Sequence, residues 1–133
     1  MISASGLSRH YPALLGPNKE TRAIASLKKA KAAGIQTMLD ATTFDLGRDP
    51  ELLKEVSEGS GVNLINVTGW WLEVPRFLQG VGPNQMADEF VKDIQEGFRG
   101  TNIKAGMLKC AADFEGVTRP LELSLIHISE PTR

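Results

Sequence analysis

The stretch Ile103-Lys104-Ala105-Gly106-Met107-Leu108-Lys109 is an apolar run that ends in a lysine. Such a run predicts a β-strand over residues 103–109. Two comparable runs precede it, at residues 35–39 and 62–67, and each of the three follows a segment with apolar residues at helical spacing. Three helix–strand units with short connections favour parallel strands joined by right-handed crossovers, so the sequence predicts an α/β fold. Periodicity leaves a barrel and an open sheet as alternatives.

The three predicted helices have recognisable starting residues. Asn18 is the predicted N-cap of the first helix, and Asp49 followed by Pro50 is a strong start signal for the second. Asn84 is the predicted N-cap of the third. The expected apolar side of that third helix contains Met86, Phe90, Val91, Ile94 and Phe98.

Composition and charge limit the classes of partner. The chain has 133 residues, 41% of them hydrophobic and 23% charged, with a net charge of -1. The basic residues are dispersed, so we expect no nucleic acid and no membrane partner. No apolar run approaches the roughly 20 residues that span a bilayer. The first residues lack the features of a signal peptide, and a single cysteine, Cys110, excludes an internal disulfide; both observations favour a cytoplasmic location.

The two ends of the chain differ from its centre. Residues 1–17 show no sustained period and predict a loop. Residues 123–133 resemble the conceptual translation of a transposon-type sequencing-library adapter. We therefore expect one domain over residues 1–122, followed by an adapter-derived tail over residues 123–133.

In an α/β architecture the reactive side chains gather at the carboxyl ends of the strands. Residues 40–45, 68–72 and 109–113 are therefore expected to meet in space. Asp40 either anchors the turn after its strand or serves as a carboxylate of the site. Adjacent strand residues face opposite sides, so at most one of the two tryptophans lines a shared cavity. The polar and aromatic groups that these segments offer are Asp40, Thr42, Thr43, Thr68, Trp70, Trp71 and Lys109.

Lys109 allows two interpretations. Burial disfavours the ammonium form, so a desolvated lysine moves toward the neutral amine, which can act as a base, form a Schiff base or add carbon dioxide. The resulting carbamate is a carboxylate that can bridge two metal ions. Alternatively, Lys109 extends from the strand end with its ammonium in water. Its neighbour Cys110 is expected to be a small buried apolar residue.

The strand-end segments together resemble the phosphotriesterase family of the amidohydrolase superfamily. The resemblance covers residues 11–122 and implies a partial (β/α)8 barrel. Members of that family carry a binuclear divalent metal centre, commonly zinc, which activates a hydroxide for attack on phosphotriesters or lactones. The residues that carry the resemblance are Asp40-Ala-Thr-Thr-Phe-Asp-Leu-Gly-Arg48-Asp49, Val67-Thr-Gly-Trp-Trp71 and Ile103-Lys-Ala-Gly-Met-Leu-Lys109.

The resemblance implies roles for three residues. Lys109 is the implied catalytic and metal-binding residue, because its carbamate would bridge both ions. Trp71 and Leu72 are the implied apolar wall that binds the substrate. The implied partners are a small-molecule ester or lactone and, in the parent protein, a second copy in a homodimer.

The family's other metal ligands are expected to lie before Met1 and beyond Glu122. The resemblance therefore implies an internal fragment that is inactive alone, since such a barrel normally needs about 250 residues to close. The alternative hypothesis is a noncatalytic α/β fragment or binding module, in which Lys109 and Trp71 are structural remnants.

Overall fold

The computed structural model describes residues 18–71, 80–111 and 116. The predicted loop over residues 1–17, the predicted tail over residues 123–133 and Leu72 lie outside these described residues. In chain order the elements are α1 (Lys19–Ala32), β1 (Thr37–Asp40), a short 3-10 helix (Phe44–Leu46), α2 (Pro50–Ser60), β2 (Asn63–Gly69), α3 (Pro83–Gln95) and β3 (Met107–Lys109).

The three strands form one parallel sheet in the order β1-β2-β3. Asp40 pairs with Asn66, and Gly69 pairs with Lys109, so the carboxyl ends of all three strands lie at one edge. Each strand follows a helix, as the spacing predicted. The α/β class and the helix–strand repeat of a partial (β/α)8 barrel are confirmed.

The helices pack on one face of the sheet through two apolar clusters. In the first, Leu27 of α1 meets α2 and the strand β2 around the fully buried Val56 and Val62. In the second, Met86 and Phe90 of α3 pack against Trp70. Together these clusters fix α1, α2 and α3 on the same side of the strands, because burial of apolar area is the main favourable term in packing.

The opposite face of the sheet is apolar and partly exposed, although Val67 on this side of β2 is fully buried. Leu39, Ile65 and Met107 project from this side of β1, β2 and β3, and their side chains are 44%, 36% and 50% exposed. Lys109 lies two residues after Met107 and so belongs to the same face. We call Leu39, Ile65 and Met107 the open sheet face.

The helix starts only partly follow the predictions. The carboxylate of Asp49 accepts a hydrogen bond from the backbone N–H of Leu52 at 3.0 Å, so the predicted cap of α2 is confirmed. Asn18 precedes α1 as predicted, but its backbone is left-handed and its side chain makes no capping bond. The prediction of Asn84 as a cap is wrong. α3 begins at Pro83, because Gln85 caps the N–H of Gly82 and proline at the first position needs no hydrogen bond.

The third strand is shorter than predicted, since only Met107–Lys109 joins the ladder. The N–H of Gly106 still donates to the carbonyl of Asn66 in β2, but the groups before it bond elsewhere: the N–H of Ala105 donates to the carbonyl of Asp93, and the carbonyl of Ile103 accepts from the N–H of Phe98. The predicted apolar side of α3 is also too wide. Val91 and Ile94 are 46% and 43% exposed, because the helix meets the sheet only through the side that carries Met86 and Phe90.

Candidate functional site at the carboxyl edge of the sheet

Lys109 lies at the end of β3, where the three strand ends converge. Its Nζ donates a hydrogen bond to the carbonyl oxygen of Ala41, directly after β1, at 2.8 Å. The expected meeting of the strand-end segments is therefore confirmed for the residues of these segments that the structure describes. Lys109 is half-buried, and the hydrogen bond between its Nζ and Ala41 is accessible to solvent. Its amine is therefore neither fully desolvated nor free in water.

Gly69 allows β3 to approach β2 at this lysine. Its φ is +100°, a backbone conformation that side-chain-bearing residues rarely adopt. A Cβ at this position would overlap the carbonyl oxygen of Lys109 and would lie 3.0 Å from its carbonyl carbon and 3.2 Å from its nitrogen. The glycine is thus required for the backbone of Lys109 to sit where it does.

The two adjacent tryptophans have different surroundings. Trp70 is 8% exposed and its ring lies 4.8 Å from that of Phe90, so the expectation that Trp70 faces the packing layer is confirmed. Trp71 is 41% exposed, and the Nζ of Lys109 lies 5.1 Å from its ring centroid. That distance is within the range of a cation–π contact. Trp71 is therefore the tryptophan beside the lysine.

The connection after β1 is held by two carboxylates with different partners. Asp40 accepts hydrogen bonds from the backbone N–H of Thr42, at 2.9 Å, and from its hydroxyl. The sequence left two roles open for Asp40, and these hydrogen bonds are those of a residue that anchors the turn after β1. Asp45 accepts from the hydroxyl of Thr43 and, at 3.2 Å and 3.3 Å from its two oxygens, from the backbone N–H of Trp71. Asp45 therefore links the loops after β1 and β2.

A partly buried polar cluster of Arg48, Thr68 and Asp93 lies behind the edge. Arg48 donates to the carbonyl of Val67 at 2.8 Å and to Asp93 at 3.4 Å, and its guanidinium lies 3.8 Å from the ring centroid of Phe98. The hydroxyl of Thr68 donates to the same carboxylate at 2.6 Å. Burial lowers the pKa of Arg48, and the charge of Asp93 opposes that effect. The cluster ties α3 to β2 just before Gly69.

These hydrogen bonds show which polar side chains at the edge are already engaged within the scaffold. The hydroxyls of Thr42, Thr43 and Thr68 all donate to neighbouring carboxylates, so they serve the scaffold rather than a reactant. The sequence did not identify Asp45 or Asp93. A Thr-x-Asp spacing was available for Asp45, whereas nothing in the sequence around Asp93 distinguishes it from an ordinary helix charge.

The metal-ligand inventory of residues 18–71 and 80–111 is limited. No group of three or more His, Cys, Asp or Glu side chains there could hold a metal ion. Lys109 fits a bridging role only as a carbamate, since an unmodified lysine amine is not among the usual ligands of zinc or magnesium.

Within the described part of the chain, no helix is long and apolar enough to cross a membrane.

The fold and this edge define a segment of an α/β protein in which reactive and aromatic groups gather at the carboxyl ends of parallel strands. The chain belongs to the phosphotriesterase family, whose sequence profile matches residues 1–129. This finding confirms the family resemblance stated from the three strand-end motifs.

Individual relatives agree with the family match. The chain is 33% identical over 124 residues to an aryldialkylphosphatase of Saccharolobus solfataricus, covering 91% of this chain and 40% of that protein. It is 33% identical over 140 residues to a phosphotriesterase homology protein of Mycobacterium tuberculosis, covering 97% and 43%. An N-acetyltaurine hydrolase of Dictyostelium discoideum is 34% identical over 93 residues, covering 68% and 25%. The chain thus spans less than half the length of these curated relatives.

Proposed function

We propose that the chain is part of a metal-dependent hydrolase of organophosphate triesters or lactones, with its active centre at the carboxyl edge of the sheet. The observation that carries the proposal is the position of Lys109 at the end of β3, against Ala41 and Trp71. Family membership and the relative named aryldialkylphosphatase support the same reaction class.

Lys109 is proposed to hold two divalent ions, zinc by preference, as a carbamate. In its neutral amine form, Nζ would form a bond to the carbon of carbon dioxide and release one proton to solvent, which leaves a carbamate with its negative charge shared by two oxygens. The half-buried setting suits this step, since the amine remains reachable by carbon dioxide. The ions when bound supply Lewis acidity and lower the pKa of water. The remaining ligands are expected from other parts of the whole protein.

The surrounding residues of this chain position and enclose the amine. The carbonyl of Ala41 accepts the hydrogen bond of Nζ and fixes its direction, while Gly69 sets the distance between the two strands. Trp71 is the proposed apolar wall, together with Leu72, which lies outside the described residues. An aromatic wall of this kind favours substrates with bulky apolar substituents, because it removes apolar surface from water.

The proposal is tested in the whole protein, with the barrel complete, by Lys109→Ala. The expected result is loss of most bound metal and of most hydrolysis, measured by metal analysis and by turnover of a phosphotriester, a lactone and an N-acetyl amide. The amide is included because one relative is named N-acetyltaurine hydrolase. Added acetate or propionate should restore part of the activity, since a short carboxylate can bridge the metals in the vacated space.

Lys104→Ala is the matched control, because Lys104 is an exposed lysine in the segment before β3. It should keep both metals and full turnover. A Lys109→Ala protein with both metals and near-normal turnover would show that the carbamate assignment is wrong. An unsubstituted protein without metal and without turnover on all three substrates would favour the noncatalytic alternative.

A further inference from the structure

Asp45 connects two loops that both reach Lys109. It lies in the short 3-10 helix after β1, where its carboxylate accepts the hydroxyl of the fully buried Thr43. The same carboxylate accepts the backbone N–H of Trp71 through both oxygens, at 3.2 Å and 3.3 Å. One end of this link is therefore fixed in the interior, and the other end holds the residue beside the lysine.

Trp71 is the more exposed of the two tryptophans. Its side chain is 41% exposed, whereas the preceding Trp70 is buried against Phe90. The burial of Trp70 fixes the chain up to that residue, and Gly69 before it is in a left-handed conformation. The hydrogen bond to Asp45 thus holds the backbone N–H of Trp71, whose indole lies 5.1 Å from the Nζ of Lys109.

We propose that Asp45 is a positioning residue for the substrate wall: its carboxylate holds the Trp71 amide so that the indole stays over the amine of Lys109. The inference deepens the proposed function and rests on it for its kinetic consequence. Asp45 acts through Trp71 and touches neither the substrate nor the reacting atoms. The charge matters, because a hydrogen bond to a carboxylate is about twice as strong as one to a neutral acceptor.

The direct test observes the Trp71 amide by NMR in the whole protein labelled with ¹⁵N-tryptophan, with the resonance assigned through Trp71→Phe. An amide that donates to a carboxylate resonates downfield. Asp45→Ala should move the Trp71 amide upfield, and Asp45→Asn should move it part of the way, because Asn keeps a neutral oxygen acceptor. Asp45→Asn also preserves the side-chain volume, so it keeps the test available if Asp45→Ala fails to fold.

Asp40→Asn is the matched control. Asp40 lies in the same connection and also accepts a threonine hydroxyl, but its backbone partner is Thr42 rather than Trp71. This variant should leave the Trp71 amide in place, and the Trp70 amide should be unmoved in all variants. An unmoved Trp71 amide in both Asp45 variants, or an equal movement in Asp40→Asn, overturns the inference.

The kinetic test separates positioning from a merely structural role. Loss of one such hydrogen bond is expected to raise KM for a bulky apolar ester about five-fold in Asp45→Ala, with kcat changed less than about two-fold. A fall in kcat with an unchanged KM overturns the positioning role. Absence of hydrolysis in the unsubstituted protein would refute the proposed function alone, because the amide shift decides the role of Asp45 independently of turnover.

Discussion

Replacement of Gly69 by alanine tests whether the close approach of β2 and β3 places Lys109. The Cβ of the new side chain would overlap the Lys109 carbonyl oxygen and approach its carbonyl carbon to 3.0 Å. Both of these atoms belong to backbone, which cannot rotate away as a side chain can. The substitution must therefore separate the strands at the pair formed by Gly69 and Lys109.

The expected cost has two parts. A left-handed backbone at a residue with a Cβ costs about 1–2 kcal/mol. Overpacking against fixed neighbours costs about 1–3 kcal/mol more. The free energy of unfolding should accordingly fall by about 2–5 kcal/mol in Gly69→Ala. Because Lys109 moves with its strand, metal content should fall as well if the proposed bridging role holds.

Gly34→Ala is the control that separates the cost of overpacking from the cost of the left-handed backbone. Gly34 has φ +98°, nearly the value of Gly69, but a Cβ there would have no atom within 4 Å. It should cost only the backbone term of about 1–2 kcal/mol. The measurement is urea unfolding of the whole protein and both variants. Equal losses of stability in Gly69→Ala and Gly34→Ala would refute the argument that strand contact requires the glycine.

Three further predictions concern stability and reactivity. The 133-residue chain alone should show no sharp thermal transition as a dilute monomer, because the open sheet face exposes apolar side chains; a cooperative melt would contradict this. In the whole protein Trp70→Ala should lower stability by about 3–5 kcal/mol, whereas Trp71→Ala should mainly raise KM for bulky esters; melting and kinetics showing the reverse would refute the assigned sides. Burial raises the pKa of Cys110, so its alkylation should be slower than that of free cysteine at pH 8 and should accelerate as the pH rises. An alkylation rate equal to that of free cysteine would refute this prediction.

The sequence predicted best where local chemistry decides the structure. Asp49 before Pro50 predicted the start of α2, because a capping carboxylate and a proline act within one turn. It failed where distant contacts decide: residues 103–106 have strand-like composition, yet the N–H of Ala105 bonds to Asp93 of α3 instead of a strand. Asn84 is a favourable cap, but the helix begins with Gly82 as its N-cap, two residues before Asn84, because Gln85 accepts the N–H of Gly82 and Pro83 needs no hydrogen bond.

The sequence by itself determined the class of the fold, the order of its elements and the family, since apolar periodicity and strand-end motifs involve residues that are close together in the chain. It also determined that Lys109 ends a strand. Only the tertiary structure decided that Asp40 anchors a turn while Asp45 holds Trp71 from 26 residues away, and that the amine of Lys109 bonds to Ala41 across 68 residues. The physical reason is that hydrogen bonds between loops depend on the register of the sheet, which fixes the distances between strand ends and leaves no local pattern in the sequence.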